Sequence, residues 1–380
     1  MEAYHNSRDI EFRAPFGAVK AGTKLKLRID LWNGTPEEVT LRVWTDGAGE
    51  TRNAMEVDAR EGGYTATGIF EAASPALCWY RFEIKDADGS IYYYGRDEKH
   101  GGVGKLYPAD GDCPSYQITV YKERKVPDWY KQGIVYQIFP DRFAREDGAD
   151  DDKVESRISG HANGPLRRAV SWDKPVGYEK NADKSIAAWD FYGGSLKGIE
   201  QRLDYLKGLG VSIIYLNPIF EAASNHRYDT GDYMSIDPVL GDEADFESLC
   251  KKARSKGISV ILDGVFNHTG CDSIYFNKYD NYEGIGAYQS EESPYREWYS
   301  FNSDSKDGYD SWWGVGDLPN LREESVSLRE LIYASEDSVV RHYMKLGARG
   351  WRLDVADELP DDVCRNGGER GYAHRHGCRH

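Results

Sequence analysis

Three features of the sequence predict a two-part chain, with a small all-β sandwich leading into part of a parallel α/β barrel. Residues 1–125 alternate apolar and polar side chains with period two. From about residue 130, short apolar strands alternate with helical stripes, which is the pattern of parallel β/α units. Each of these later strands ends in polar residues that open a long loop, as at the C-terminal face of a TIM barrel. The predicted fold class is α/β: a partial TIM (β/α)8 barrel of about four strands over residues 126–361, behind a β-sandwich over residues 1–125.

In the first part, Leu25, Leu27, Ile29 and Leu31 alternate with Lys24, Lys26, Arg28 and Asp30, so one strand face is buried and the other wet. Val39, Leu41 and Val43 repeat the pattern, as do Tyr80, Phe82 and Ile84, then Tyr116, Ile118 and Val120. Asn33-Gly34, Asp46-Gly47 and Asp88-Gly89 separate the runs as turns. Several short strands without helices make a sandwich.

In the second part, residues 133–140 (GIVYQIFP), 211–220 (VSIIYLNPIF), 258–266 (ISVILDGVF) and 350–356 (GWRLDVA) read as strands. Between them, Leu196, Ile199, Leu203, Leu206 and Leu209 form a helical stripe over residues 195–210, and Phe246, Leu249 and Ala253 form another over residues 242–257. A third helix is predicted over residues 338–347. The alternative, a doubly wound open sheet, lacks its glycine-rich loop after the first strand. Residues 267–335 are long, aromatic and acidic, and read as an irregular subdomain over the active face.

The 64 acidic residues exceed the 48 basic ones, for a net charge of −16. That balance excludes phosphate-neutralising nucleic-acid binding and disfavours anionic membranes. A neutral polysaccharide is compatible with it. The 13% aromatic content, with 27 Tyr and 10 Trp, suits either a core or platforms for sugar rings. Met1–Asn6 carries neither the basic nor the apolar region of a signal peptide, and no apolar run is long enough to span a bilayer, so a cytoplasmic location is expected. The six cysteines form no CxxC pair and are expected to be reduced.

Chemistry concentrates at the strand ends. Arg352 and Asp354 are two apart, so on a strand they point the same way. An inward Arg favours the ionised carboxylate that a glycosidase nucleophile requires, although such a pair taken alone is more often a structural ion pair. Asp263, Asn267 and His268 close the third strand, and His226 and Tyr228 follow the second. Asp, Asn and His at a strand's carboxyl end suit sugar hydroxyls or a metal.

In order and placement, several stretches resemble glycoside hydrolase family 13, the α-amylase family. They are YQIFPDRF at 136–143, FYGG at 191–194, NPIF at 217–220, SNHRYDT at 224–230, DGVFNH at 263–268 and GWRLDVADE at 350–358. The likeness is strongest to the neopullulanase, cyclomaltodextrinase and maltogenic amylase group and to related amylopullulanases. The resemblance implies Asp354 as nucleophile with Arg352 its neighbouring cation. It places Asp263, His268, His226 and a stacking Tyr228 at the cleavage subsite, with Asp357 and Glu358 on the acceptor side. Leu318-Pro319-Asn320-Leu321 looks like a degenerate form of the family's short motif in the insert. The implied reaction is retaining hydrolysis of α-glucans such as starch, maltodextrin, cyclodextrin or pullulan, and the first part is starch-binding-like and a possible dimer contact. Calcium is the one implied cofactor. Asn267 matches a common ligand position, and Asp147, Asp150, Asp151 and Gly193 fit a second site. Arg145 and Ser195 stand where relatives of that second site carry Asn and Asp, so a solvated acidic loop is the preferred reading there.

The family also uses a Glu after the fifth barrel strand as general acid and an Asp after the seventh. Only four barrel strands are legible here, and neither Glu358 nor Glu369 replaces the acid. Residues 362–380 carry four glycines and no Leu, Ile, Phe or Met, unlike the amphipathic helix expected there; they read as an aberrant, frameshifted tail. The expectation is a truncated family member that is inactive alone. The alternatives are a non-catalytic α-glucan-binding protein and an interaction module.

Overall fold

The computed structural model describes residues 1–71, 73–123, 125–158 and 161–360. The reading of residues 362–380 lies outside them. The chain divides into two compact units, Met1–Val126 and Pro127–His380.

In the first unit the period-two runs become β1 (Lys24–Trp32), β2 (Pro36–Thr45), β3 (Gly49–Ala54), β4 (Gly63–Glu71), β5 (Ala76–Asp86), β6 (Ile91–Arg96) and β7 (Tyr116–Tyr121). β1 and β4 pair antiparallel in a five-stranded sheet. β5 is the spine of a seven-stranded sheet: β2 runs along one edge, while β6 and β7 share the other. The two sheets close on one core, in which Leu25, Leu27, Ile29, Leu41, Val43, Phe82 and Ile84 are wholly buried. Each such side chain contributes roughly 1.5–3 kcal/mol. Asp30 departs from the expected wet face. It is buried because Arg28, Arg60 and the Thr65 hydroxyl hold its carboxylate at 2.9, 3.0 and 2.9 Å.

In the second unit β8 (Val135–Ile138), β9 (Ile213–Leu216), β10 (Ser259–Gly264) and β11 (Gly350–Leu353) form a parallel sheet in that order. Every residue of β9 and β10 is buried, with Ile214, Leu216, Val260 and Leu262 packed in the same core as the helices and Ile213, Tyr215 and Ile261 in a separate cluster, whereas the outer strands are wetter and Val135 is 45% exposed. The observed strands are shorter than the apolar runs that announced them, because the chain turns into loops at their polar ends. The first helical stripe splits into α1 (Leu196–Gln201) and α2 (Leu203–Gly208) at Arg202. α3 (Glu243–Ser255) starts where the Asp242 side chain caps Asp245 N–H at 2.9 Å. α4 (Val339–Leu346) stops at Gly347, whose φ of +136° disfavours a side chain.

The insert is irregular, as expected, and carries its own aromatic cluster. Phe276 packs against Tyr309 and Tyr299 with ring centroids 4.7 and 4.8 Å apart. Two features were not foreseen: a three-stranded sheet of Leu166–Ala169, Glu179–Lys180 and Ile186–Phe191, and a hairpin of Phe220–Ala222 with Thr230–Ile236. Among the described residues, Cys78, Cys113 and Cys271 are free thiols, and no helix is long and apolar enough to cross a membrane.

Candidate active site

The sheet register brings the first three site residues together. Asp263 on β10 and Arg352 on β11 are direct partners across the parallel pair. Beyond β11, the Asp354 N–H donates to the Gly264 carbonyl at 3.0 Å, extending the ladder and placing Asp354 on Arg352's side. Arg352 Nη1 then donates to Asp263 Oδ1 at 2.9 Å and to Asp354 Oδ1 at 2.5 Å. One guanidinium serves two carboxylates, of which Asp263 is 1% exposed and lies behind. Burial pushes the Asp263 carboxyl above the usual range, against hydrogen bonds from the Tyr215 hydroxyl at 2.5 Å, from Arg352 and from the Tyr228 hydroxyl at 3.0 Å. Burial pulls Arg352 down, but the hydrogen bonds and charges of its two carboxylates outweigh it, and the guanidinium stays protonated.

Tyr228 is held from two sides. Its hydroxyl reaches Asp263 and also accepts from Asn217 Nδ2 at 3.3 Å. Burial, reinforced by the charge of Asp263, pushes it up to about 12. His226 Nδ1 accepts the Tyr228 N–H at 3.1 Å, and the His226 ring meets Trp189 edge-on at 5.1 Å. His268 donates from Nε2 to the Tyr228 carbonyl at 3.1 Å. Its other nitrogen, Nδ1, is buried with no partner among the described residues. Burial lowers both histidines, so each is neutral near pH 7.

Glu358 is exposed and carries neighbours on its carboxylate. It takes indole N–H bonds from Trp312 and Trp313, both at 3.1 Å, and an amide bond from Asn267 at 3.2 Å. Asp357 lies exposed with no polar partner among the described residues. The sequence reading passed over the two tryptophans, although they fall in the aromatic insert. Trp312 lies 5.6 Å from the His268 ring, and Trp313 is 83% exposed with φ +51°. Such backbone in a bulky residue is uncommon and clusters at functional sites.

Sequence reading also missed Glu323, on a cavity of about 500 Å³ that Asn320, Leu321 and Arg322 help to line. Burial first, then the charges of Glu324 and Glu358, raises its carboxyl from 4.5 to about 7. A raised carboxyl contributes stability that is complete below about pH 4.5 and lost as pH rises through about 7. Glu323→Gln cannot ionise. The variant is therefore expected to be about 2–3 kcal/mol more stable than wild type at pH 8 and equal to it at pH 4.5, read by melts at the two pH values.

Asn267 keeps a buried Oδ1 without a partner, one oxygen free to ligate. Among the described residues, however, no group of three or more His, Cys, Asp or Glu is gathered to hold a metal. The second set does not fit calcium. Asp150 caps a helix through Lys153 N–H at 2.9 Å, Asp147 lies 3.6 Å from Arg202, and Gly193 donates its N–H to Asp141 at 3.0 Å. Arg145 meets the remaining oxygens itself, at 2.6 Å from the Tyr192 carbonyl, 2.9 Å from the Val170 carbonyl and 2.8 Å from Asp151. A guanidinium thus supplies the positive charge there. Arg145→Ala is expected to lower the melting temperature by roughly 5 °C or more, reflecting about 2–3 kcal/mol of lost charged hydrogen bonds, and added calcium is expected to leave the wild-type melt unchanged.

Residues 137–375 match the model of the α-amylase family described as "Alpha amylase, catalytic domain". The amylopullulanase of Thermoanaerobacterium saccharolyticum is 39% identical over 94% of this chain and 30% of its own length. Neopullulanase 2 of Thermoactinomyces vulgaris is 36% identical over 61% of this chain and 35% of its own. Among solved structures, the type III pullulan hydrolase from Thermococcus kodakarensis is similar with a TM-score of 0.52 and 25% identity, over 97% of this chain and 59% of that one. The chain spans about a third of the length of these two sequence relatives.

Proposed function

We propose, from the premise that this chain belongs to the α-amylase family, that the polar end of its parallel sheet is the donor-side half of an α-glucan hydrolase site. On this reading the four parallel strands are the first half of a (β/α)8 barrel, and starch, maltodextrin, cyclodextrin or pullulan is the substrate. Asp354 attacks the anomeric carbon as the glycosidic C–O bond breaks, and the electron pair leaves on the departing oxygen. Arg352 keeps that carboxylate charged and placed, Asp263 holds the guanidinium from behind, and His268 stands beside the same glucose, with Tyr228 under its ring. No step runs through calcium. The departing oxygen takes a proton as it leaves. The chain is expected to bind α-glucan at this site.

The observation that carries this reading is the guanidinium of Arg352 shared between Asp263 and Asp354, with the Tyr228 hydroxyl on the same Asp263 carboxylate. Titration calorimetry with maltoheptaose tests it. Asp263→Asn, isosteric but uncharged, is expected to weaken this binding at least about tenfold, a loss of about 1.4 kcal/mol. Unchanged affinity in a folded variant would remove the assignment.

A further inference from the structure

Trp313 is the most exposed large apolar side chain among the described residues, and it is held there by a built turn. Trp312 N–H donates to the Leu318 carbonyl, Leu318 N–H to the Val315 carbonyl and Val315 N–H to the Trp312 carbonyl, each at 2.9 Å. Ser311 and Pro319 pair at the base of the turn. Trp313 and Gly314 follow one another inside it at φ +51° and +74°. Glycine takes that backbone freely, whereas a tryptophan needs its surroundings to hold it there. The Glu358 carboxylate does so. One of its oxygens takes the Trp313 indole N–H, and the other takes the Trp312 indole N–H and the Asn267 amide. Glu358 is itself fixed in the turn after β11, where its N–H donates to the Val355 carbonyl at 2.9 Å.

The rings form a path that begins at the sheet end. His268 and Trp312 lie 5.6 Å apart with planes tilted by 31°, and Trp312 and Trp313 lie 6.0 Å apart with planes tilted by 43°. Three rings thus lead outward from the site to open solvent. Their chemistry selects an occupant. Both indole N–H groups are already spent on Glu358, so the rings offer apolar faces and no directed hydrogen bond. An anion would meet the Glu358 charge, and a cation would compete with the N–H donors that already fill that carboxylate. The C–H face of a neutral sugar ring meets neither cost and covers indole that is otherwise in water. Continuity with the His268 ring makes that sugar the continuation of the chain bound at the sheet end.

We propose that Trp312 and Trp313 are a stacking platform for the glucose units beyond the departing oxygen, and that Glu358 is a positioning residue that holds the platform and not the sugar. The platform makes affinity grow with chain length, since only a chain long enough to pass His268 reaches Trp313. The proposal rests on the active-site reading at Asp354 and deepens it.

Calorimetry of the full 380-residue chain with maltose and with maltoheptaose reads the platform as the ratio of the two affinities. Wild type is expected to prefer maltoheptaose. Trp313→Ala is expected to cut that preference about tenfold, whereas Trp313→Phe, which keeps a ring, cuts it about threefold or less. Glu358→Ala is expected to match Trp313→Ala, and the double variant to lose no more than either, because the one residue acts through the other. No preference in wild type, or a preference unchanged in Trp313→Ala, would overturn the platform. Additive losses would put Glu358 on the sugar and overturn its positioning role. Asp263→Asn separates this proposal from the reading beneath it. Wild-type affinity in that variant, with the preference still lost in Trp313→Ala, would remove the active-site assignment and leave the tryptophans as a sugar-binding face.

Discussion

Arg352→Met is expected to abolish maltoheptaose binding at the end of the parallel sheet and to destabilise the second unit by about 2–3 kcal/mol. The lower part of the range for a broken buried pair applies, because the guanidinium is 41% exposed and partly screened. The loss comes from Asp263, whose buried carboxylate keeps two hydroxyl donors but no cation. The pH dependence has a definite sign. A carboxyl raised in the folded state contributes stability that is complete below its unfolded value and lost as pH rises through its folded value. Without Arg352 the Asp263 carboxyl rises further, so the deficit of the variant is expected to be small near pH 4 and to grow toward pH 8. Melts of both proteins across that interval check the trend, and a deficit independent of pH would point to lost packing instead.

Tyr228→Ala is expected to weaken maltoheptaose binding about 50-fold, and Tyr228→Phe by about fivefold or less. The alanine variant loses the ring and the hydroxyl that supports Asp263 at 3.0 Å, whereas phenylalanine keeps the ring. Those factors correspond to about 2.3 and 1 kcal/mol. Isothermal titration of the two variants separates stacking from hydrogen bonding. Equal losses would assign the whole effect to the hydroxyl and remove the stacking role.

The architecture was legible because its signals are periodic and local. Leu25 to Leu31 announced a strand by alternation, and the all-apolar stretch around Ile213–Leu216 announced one buried on both faces. Arg352 and Asp354 could be put on one strand face by counting. What counting could not supply was register: only the pairing of β10 with β11 sets Arg352 opposite Asp263. The tryptophans on Glu358 were hidden for the same reason, since they approach it from 45 and 46 residues away in a loop without periodicity. The break at Arg202 and the sheet around Ile186–Phe191 were missed because neither interrupts or creates an apolar rhythm. Arg145 was noticed as an intruder among oxygen ligands, but its three oxygen partners emerge only once Val170 and Tyr192 are folded beside it.

The central claim, that Asp354 is a nucleophile held by Arg352, is tested most directly with an activated substrate. A 5-fluoro-α-glucosyl fluoride carries a leaving group that departs with little help from an acid, so the nucleophile by itself should form the covalent glycosyl-enzyme. Peptide mass spectrometry of the treated chain is expected to find one fluoroglucosyl adduct on Asp354, and none in Asp354→Asn. An unmodified Asp354 in a folded chain that binds maltoheptaose, or an adduct on another carboxylate, would contradict the account.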